Sequence, residues 1–265
     1  MYLEHWGFKK TPFDNVPDPD FFYMSKTHRE GLTRLIYAVE MRKGCALLSG
    51  DIGCGKTTLS RVFIQRISGE GFHVAVISNP CLDSTEFLQD VLYKLKIADV
   101  PHTKVEIIKV LQDKLTDNVK GNRETLLIID EAQLLTDATL EEIRLLLNFQ
   151  LSDRFLITII LLGQPELVDK IKRIRQLEQR IAIRYLLKPF SLEETISYVL
   201  FRQKTAGAEK NVFSRQAIEA VYNYSGGLPR MINNLCDLAL LVGYSERRMI
   251  TSDIIKEVIE DGAIL

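Results

Sequence analysis

The chain has 265 residues, 46% of them apolar, which is enough for a substantial core and for two domains of ordinary size. No apolar run approaches the roughly 18 residues of a membrane span, and Met1–Trp6 shows no secretory leader. Against 34 basic residues stand 35 acidic ones, so the net charge is −1, which argues against a dedicated duplex-DNA binder, whose affinity rests on phosphate neutralisation. A local basic strip, Lys170 to Arg175, keeps DNA open as a partner. The cysteines Cys45, Cys54, Cys81 and Cys236 lack C-x-x-C spacing and read as reduced cytosolic thiols, not disulfides or zinc ligands.

Residues 1–25 combine Trp6, Phe8, Phe13, Phe21, Phe22 and Tyr23 with Pro12, Pro17 and Pro19. Proline at that density predicts an extended arm without helix, its aromatics pinned on the core. Thr27–Arg42 follows as an amphipathic helix, with Leu32, Leu35, Ile36 and Val39 on one face. Cys45–Ser49 is a short apolar run, hence a buried strand, and Leu59, Val62 and Phe63 give the stretch from Thr58 helical spacing. Phe72–Ile77 is a second strand, ending at Ser78-Asn79-Pro80. Helices are predicted over Ser84–Lys96, Thr103–Val119 and Asp137–Phe149, and strands at Leu126–Ile129 and Phe155–Leu162. Alternating strands and helices imply a parallel sheet covered on both faces. After Pro189 only helical periodicity remains, starting with a capping box at Ser191–Glu194. The expected organisation is an arm (1–26), an α/β nucleotide-binding domain (27–189) and an all-helical lid domain (190–265).

Two motifs carry chemistry. Gly50-Asp51-Ile52-Gly53-Cys54-Gly55-Lys56-Thr57 fits G-x-x-x-x-G-K-[ST] between a strand and a helix. Its glycines let the backbone curl until several N–H groups face one anion, and the helix start adds its positive dipole end. Gly50, Gly53, Cys54, Gly55, Lys56, Thr57 and Thr58 form the expected phosphate cradle. Lys56 would reach the β- and γ-phosphates, and the Thr57 hydroxyl would serve Mg²⁺. Leu126-Leu127-Ile128-Ile129-Asp130-Glu131-Ala132-Gln133 places two acids at the C-terminal end of a buried strand, where ligands bind in parallel sheets. Asp130 is expected to hold Mg²⁺, and Glu131 to polarise a water for attack on the γ-phosphate. The fold class read from this pattern is α/β, a P-loop NTPase with a small helical domain behind it. Its substrate is a nucleoside triphosphate, bound with Mg²⁺ and hydrolysed.

Taken in order, further motifs make the chain resemble the AAA+ branch of P-loop ATPases. They are Tyr2 to Phe8 with Pro12-Phe13, Pro17-Asp18-Pro19 with Phe22-Tyr23, Leu162 to Leu167, and Gly226-Gly227-Leu228-Pro229-Arg230. The likeness is to the general secretion pathway A group, its pilus- and exosortase-associated relatives and, more distantly, transposon target-selection and origin-recognition ATPases. The resemblance implies ATP as the nucleotide. It implies a γ-phosphate sensor at Gln164, an arginine finger at Arg180 acting on a neighbour's nucleotide (with Arg184 as the alternative), and a lid arginine at Arg230. Asn79 falls where such proteins can hold Glu131 inactive, though an ordinary Asn-Pro turn explains it too. Asp51-Ile52 departs from the more usual acidic-hydroxyl or acidic-proline pair, without consequence for phosphate binding. The secretion relatives are described with a membrane span and a cell-wall-binding domain; neither is visible here, so the chain reads as truncated or free-standing.

The resemblance implies a cytoplasmic homo-oligomeric switch or motor, reaching the inner membrane through a partner, for a secretion- or pilus-type envelope system. The alternative is a DNA-binding ATPase of the transposition or replication-initiation type. A nucleotide-gated module with negligible turnover is a third reading, against which Glu131 speaks.

Overall fold

A computed structural model describes residues 2–16, 18–69 and 71–262. Pro17 and residues 263–265, included in the expected arm and lid, lie outside the described residues. The chain divides into two compact units: Thr27–Asp51 with Leu59–Leu187, and Met1–Lys26 with Ile52–Thr58 and Lys188–Leu265. The arm opens on a helix, α1 (Tyr2–Trp6), and contains a 3-10 turn at Pro19–Phe21. The expectation of a helix-free arm fails here for a physical reason. The first proline is Pro12, so residues 2–6 keep all their N–H donors. Pro19 stands at the first position of its turn, where a missing N–H costs nothing.

In the first unit α2 (Lys26–Glu40) buries His28, Gly31, Leu32, Leu35, Ala38 and Val39, the spacing of one helix face. There follow β1 (Cys45–Gly50), α3 (Lys56–Ile67), β2 (Phe72–Ile77), α4 (Ser84–Lys94), α5 (Lys104–Lys120), β3 (Glu124–Ile129) and α6 (Asp137–Leu146). The last are β4 (Ile157–Gly163), α7 (Pro165–Arg173), α8 (Arg175–Glu178) and β5 (Ile181–Leu187). The five strands form one parallel sheet in the order β2-β3-β4-β1-β5. β1 and β4 are buried along their whole length, and β3 everywhere but its first residue, as central strands of a doubly covered parallel sheet must be. β5 sits at the sheet edge, with only Ile181 and Leu187 fully buried. Register aligns the C-terminal ends: Ser49 pairs with Gly163, Leu161 with Ile129, and Ile129 with Ile77. The turns after β1, β3 and β4 therefore leave the same edge of the sheet.

The second unit holds α9 (Leu192–Thr205), α10 (Arg215–Ser225), α11 (Pro229–Glu246) and α12 (Ser252–Glu260). Ser191 and Glu194 cap α9 reciprocally, as the sequence predicts. The arm's Phe8, Phe13 and Phe21 are buried in the same apolar cluster as Phe190, Tyr198, Ile232 and Leu235. Arg202, only 6% exposed, fastens the arm by donating to the carbonyls of Pro12 (2.5 Å) and Asp14 (2.7 Å). Trp6 Nε1 donates to Leu240 O at 3.1 Å.

The turn between α10 and α11 depends on its glycines. Gly227 has φ +79°, and a Cβ there would stand 2.0 Å from the carbonyl oxygen of Phe190. Gly226 also has positive φ, but a Cβ would meet nothing within 4 Å. Gly227→Ala is expected to cost at least ~3 kcal/mol, since backbone must move, while Gly226→Ala should cost about 1 kcal/mol for its backbone conformation alone. Thermal denaturation of the two variants side by side checks this; equal midpoints would contradict it.

Candidate nucleotide site

The phosphate loop begins where β1 ends at Gly50, and α3 takes over with Lys56 as its first helical residue. Gly53 (φ 81°) and Gly55 (φ 95°) occupy the left-handed region that favours glycine. Bends of this kind turn successive N–H groups toward one side. The result is a concave set of donors at a positive helix end, suited to an anion. Cys54 is 1% and Lys56 7% exposed, so packing holds the loop's shape.

Within the same unit Gly53 also meets α11. The N–H of Arg230 donates to Gly53 O at 3.3 Å. Leu228 offers α11 no side-chain cap and Pro229 no N–H, so the loop carbonyl satisfies one of the helix's orphan donors. A Cβ on Gly53 would lie 2.7 Å from Arg230 Cβ, so only glycine permits this approach. The Arg230 side chain is exposed.

The acids lie at the other expected place, the end of β3. Asp130 is 7% exposed; its N–H continues the ladder to Ile77 O (2.8 Å), and its Oδ1 accepts from the N–H of Glu131 (2.9 Å). Glu131 adopts a left-handed backbone, φ 52° and ψ 35°. Among the described residues four other non-glycine residues have positive φ (Arg42, Lys96, Asn122 and Arg247), all just past helix ends, where such caps are ordinary. Glu131 follows a strand instead, and a non-glycine residue held there costs about 1–3 kcal/mol, a strain that collects at functional sites. Its carboxylate accepts from Gln133 Nε2 at 2.5 Å. Asn79, expected to restrain Glu131, is exposed and makes no hydrogen bond to it among the described residues.

Gln164 stands at the tip of β4 as the N-cap of α7, yet its side chain makes no capping bond. The ordinary reason for a polar residue there is therefore missing. Arg180 Nη1 donates to Leu147 O at 2.8 Å and its Nη2 to Asn148 Oδ1 at 2.6 Å, capping the C-terminal end of α6. Arg184 is held by Glu178, through its carboxylate (3.2 Å) and its carbonyl (2.6 Å). The basic strip is partly spent: Lys170 donates to the carbonyls of Gln133 and Leu135, and Lys172 pairs with Asp169. Sequence reasoning placed Lys170 only in the basic strip and gave no role to Gln133, whose one signal is its place two residues beyond Glu131.

A family model described as an AAA domain matches residues 39–171. Over 251 residues the chain is 36% identical to general secretion pathway protein A of Aeromonas hydrophila, covering 92% of this chain and 45% of the relative. It is 28% identical over 144 residues to the ATP-dependent target DNA activator B of Escherichia phage Mu, covering 54% of this chain and 44% of that protein. The chain thus spans less than half the length of these curated relatives. Among solved structures, the Aeropyrum pernix ORC2 protein superposes over 96% of this chain and 71% of that one, with TM-score 0.70 and 16% identity. Drosophila ORC bound to DNA superposes over 100% and 67%, with TM-score 0.73 and 17% identity. Thermotoga maritima RuvB does so over 95% and 73%, with TM-score 0.58 and 19% identity. At such identities these likenesses speak for the fold alone. The family match over half of the chain, and a 36% identical relative aligned along most of it, settle the membership that the ordered motifs suggested: this chain belongs to the AAA family of P-loop ATPases.

Proposed function

We propose that the chain hydrolyses ATP with Mg²⁺, self-associates through its nucleotide site, and works as an oligomeric switch or motor in assembling a secretion- or pilus-type envelope system. The observation that carries the enzymatic part is the loop of Gly53 and Gly55, both at positive φ, opening onto the start of α3, a helix end suited to an anion. Lys56 and the loop N–H groups hold the phosphates in this reading, and Glu131 orients and deprotonates the water. Gln164 and Arg230 sense the γ-phosphate, and Arg180 serves the neighbouring copy. Thr57 and Asp130 offer hard oxygen donors, and the described residues contain no cluster of three His, Cys, Asp or Glu side chains. That set fits magnesium, which keeps water and substrate phosphates among its ligands; bound there, it would neutralise developing phosphoryl charge. The functional division follows: an arm (1–26), a nucleotide-binding domain (27–189) and a lid (190–265).

The secretion role rests on the likeness to general secretion pathway protein A, which covers most of this chain. On the same likeness we assign a cytoplasmic location with association to the inner membrane through a partner. No helix among the described residues is long and apolar enough to cross a membrane. A second reading, a DNA-associated ATPase, is favoured by the weaker likeness to the phage Mu target DNA activator. Turnover measured against chain concentration, with and without duplex DNA, tests both. Specific activity that rises steeply with concentration and ignores DNA supports the first reading. Salt-sensitive stimulation by DNA supports the second, and no turnover at any concentration refutes both.

A further inference from the structure

The side chain of Gln133 is engaged at both ends. Its Nε2 donates to Glu131 Oε2 at 2.5 Å, and its Oε1 accepts from the N–H of Gln164 at 3.1 Å. The partners fix the amide's orientation, because a backbone N–H can only donate and an ionised carboxylate can only accept. The backbone is anchored as firmly. Lys170 Nζ donates to the carbonyls of Gln133 (2.6 Å) and Leu135 (3.1 Å), tying the 3-10 turn Ala132–Leu134 to α7. Close approach is built in at Gly163, where a Cβ would fall 3.1 Å from Gln133 Oε1 and 2.6 Å from Leu167 Cδ2.

We propose that Gln133 is a positioning residue that couples the tip of β4 to the carboxylate of Glu131. With one oxygen of Glu131 held by Gln133, the direction of the other is set, on a residue whose backbone is itself fixed in the left-handed region. Because the same amide grips the N–H of Gln164, a displacement of that strand tip is passed to the carboxylate through one planar group. The inference rests on the proposed role of Glu131 in hydrolysis and assigns the control of its aim to Gln133.

Three variants of the full chain test it, with ATP binding, turnover and thermal midpoint read together. Gln133→Leu removes both bonds and is expected to lower kcat about tenfold or more while ATP affinity stays within about twofold. Gln133→Glu keeps an acceptor for Gln164 but sets a second carboxylate against Glu131. Repulsion between the two then drives the Glu131 carboxylate off its aim, so kcat should fall at least tenfold while ATP affinity again stays within about twofold. A residue that only supported the fold would instead lower the thermal midpoint, ATP affinity and kcat together. Gln133→Leu added to Glu131→Gln should cause no further loss, because Gln133 acts through the carboxylate already removed. Wild-type or raised kcat in Gln133→Leu or Gln133→Glu, ATP affinity lost together with kcat in both, or an undiminished second loss in the double variant would each overturn the coupling. Wild-type turnover in Glu131→Gln alone would instead remove the hydrolysis reading beneath it.

Discussion

Glu131→Gln should still bind ATP but turn it over at least tenfold more slowly, and a loss of about 10²–10⁴-fold is the scale for removing a general base. The substitution keeps the side chain's size and its capacity to accept from Gln133 Nε2, so the loss reports proton transfer and water polarisation and not packing. Lys56→Ala makes the complementary cut. Removing a cation that faces the phosphates should abolish nucleotide binding, leaving turnover unmeasurable because no complex forms. Equilibrium binding of a fluorescent ATP analogue and release of inorganic phosphate separate the two. Unchanged affinity in Lys56→Ala would reject the phosphate-loop assignment, and wild-type phosphate release in Glu131→Gln would reject the acid's role. A third expectation distinguishes this acid from an ordinary turn residue. Asparagine tolerates the left-handed backbone better than glutamate, so Glu131→Asn should lose activity while gaining about 1 kcal/mol of stability.

The readable features are those set by local chemistry. Glycines at 53 and 55, a lysine opening a helix and four apolar residues before Asp130 each imply their own geometry, and all three lie where the motifs place them. What escaped lacks a strong local signal of its own. β5 alternates partial burial as an edge strand beside β1, and Arg184 and Tyr185 within it gave no continuous apolar run to find. α7 and α8 begin at Pro165 and Arg175 without a side-chain cap, which leaves Pro165 and Glu166 as the start signal of α7 and none at α8. α1 was hidden by prolines that all lie beyond it. Asn79, which the family's pattern offers as a hold on Glu131, makes no bond to it among the described residues, while Gln133, two residues away from the acid, does. Hydrogen-bond partners of this kind follow from backbone turns, and the turn at Glu131 has no residue-type signature, since glutamate is an unfavourable occupant of its own conformation.

Arg180→Ala is expected to retain ATP binding and to lose turnover by ~10³-fold or more, the usual worth of an arginine finger. In the single chain Arg180 caps α6 through Leu147 O and Asn148 Oδ1, so its removal has a structural cost as well. Lower thermal stability alone therefore decides nothing; mixing does. A chain carrying Arg180→Ala has an intact acid but no finger, and one carrying Glu131→Gln has an intact finger but no acid. If the arginine acts on a neighbour, a co-assembly of the two rebuilds complete sites wherever the first chain's nucleotide faces the second chain's arginine. Random equimolar mixing makes that about one interface in four, half times half, so about a quarter of wild-type turnover should return from two inactive parents. Differently tagged chains recovered together establish that co-assembly has occurred. Co-assembly without any recovery would place the arginine's action within its own chain, as a cap on α6, and shift the search for a finger to Arg184 on the exposed edge strand.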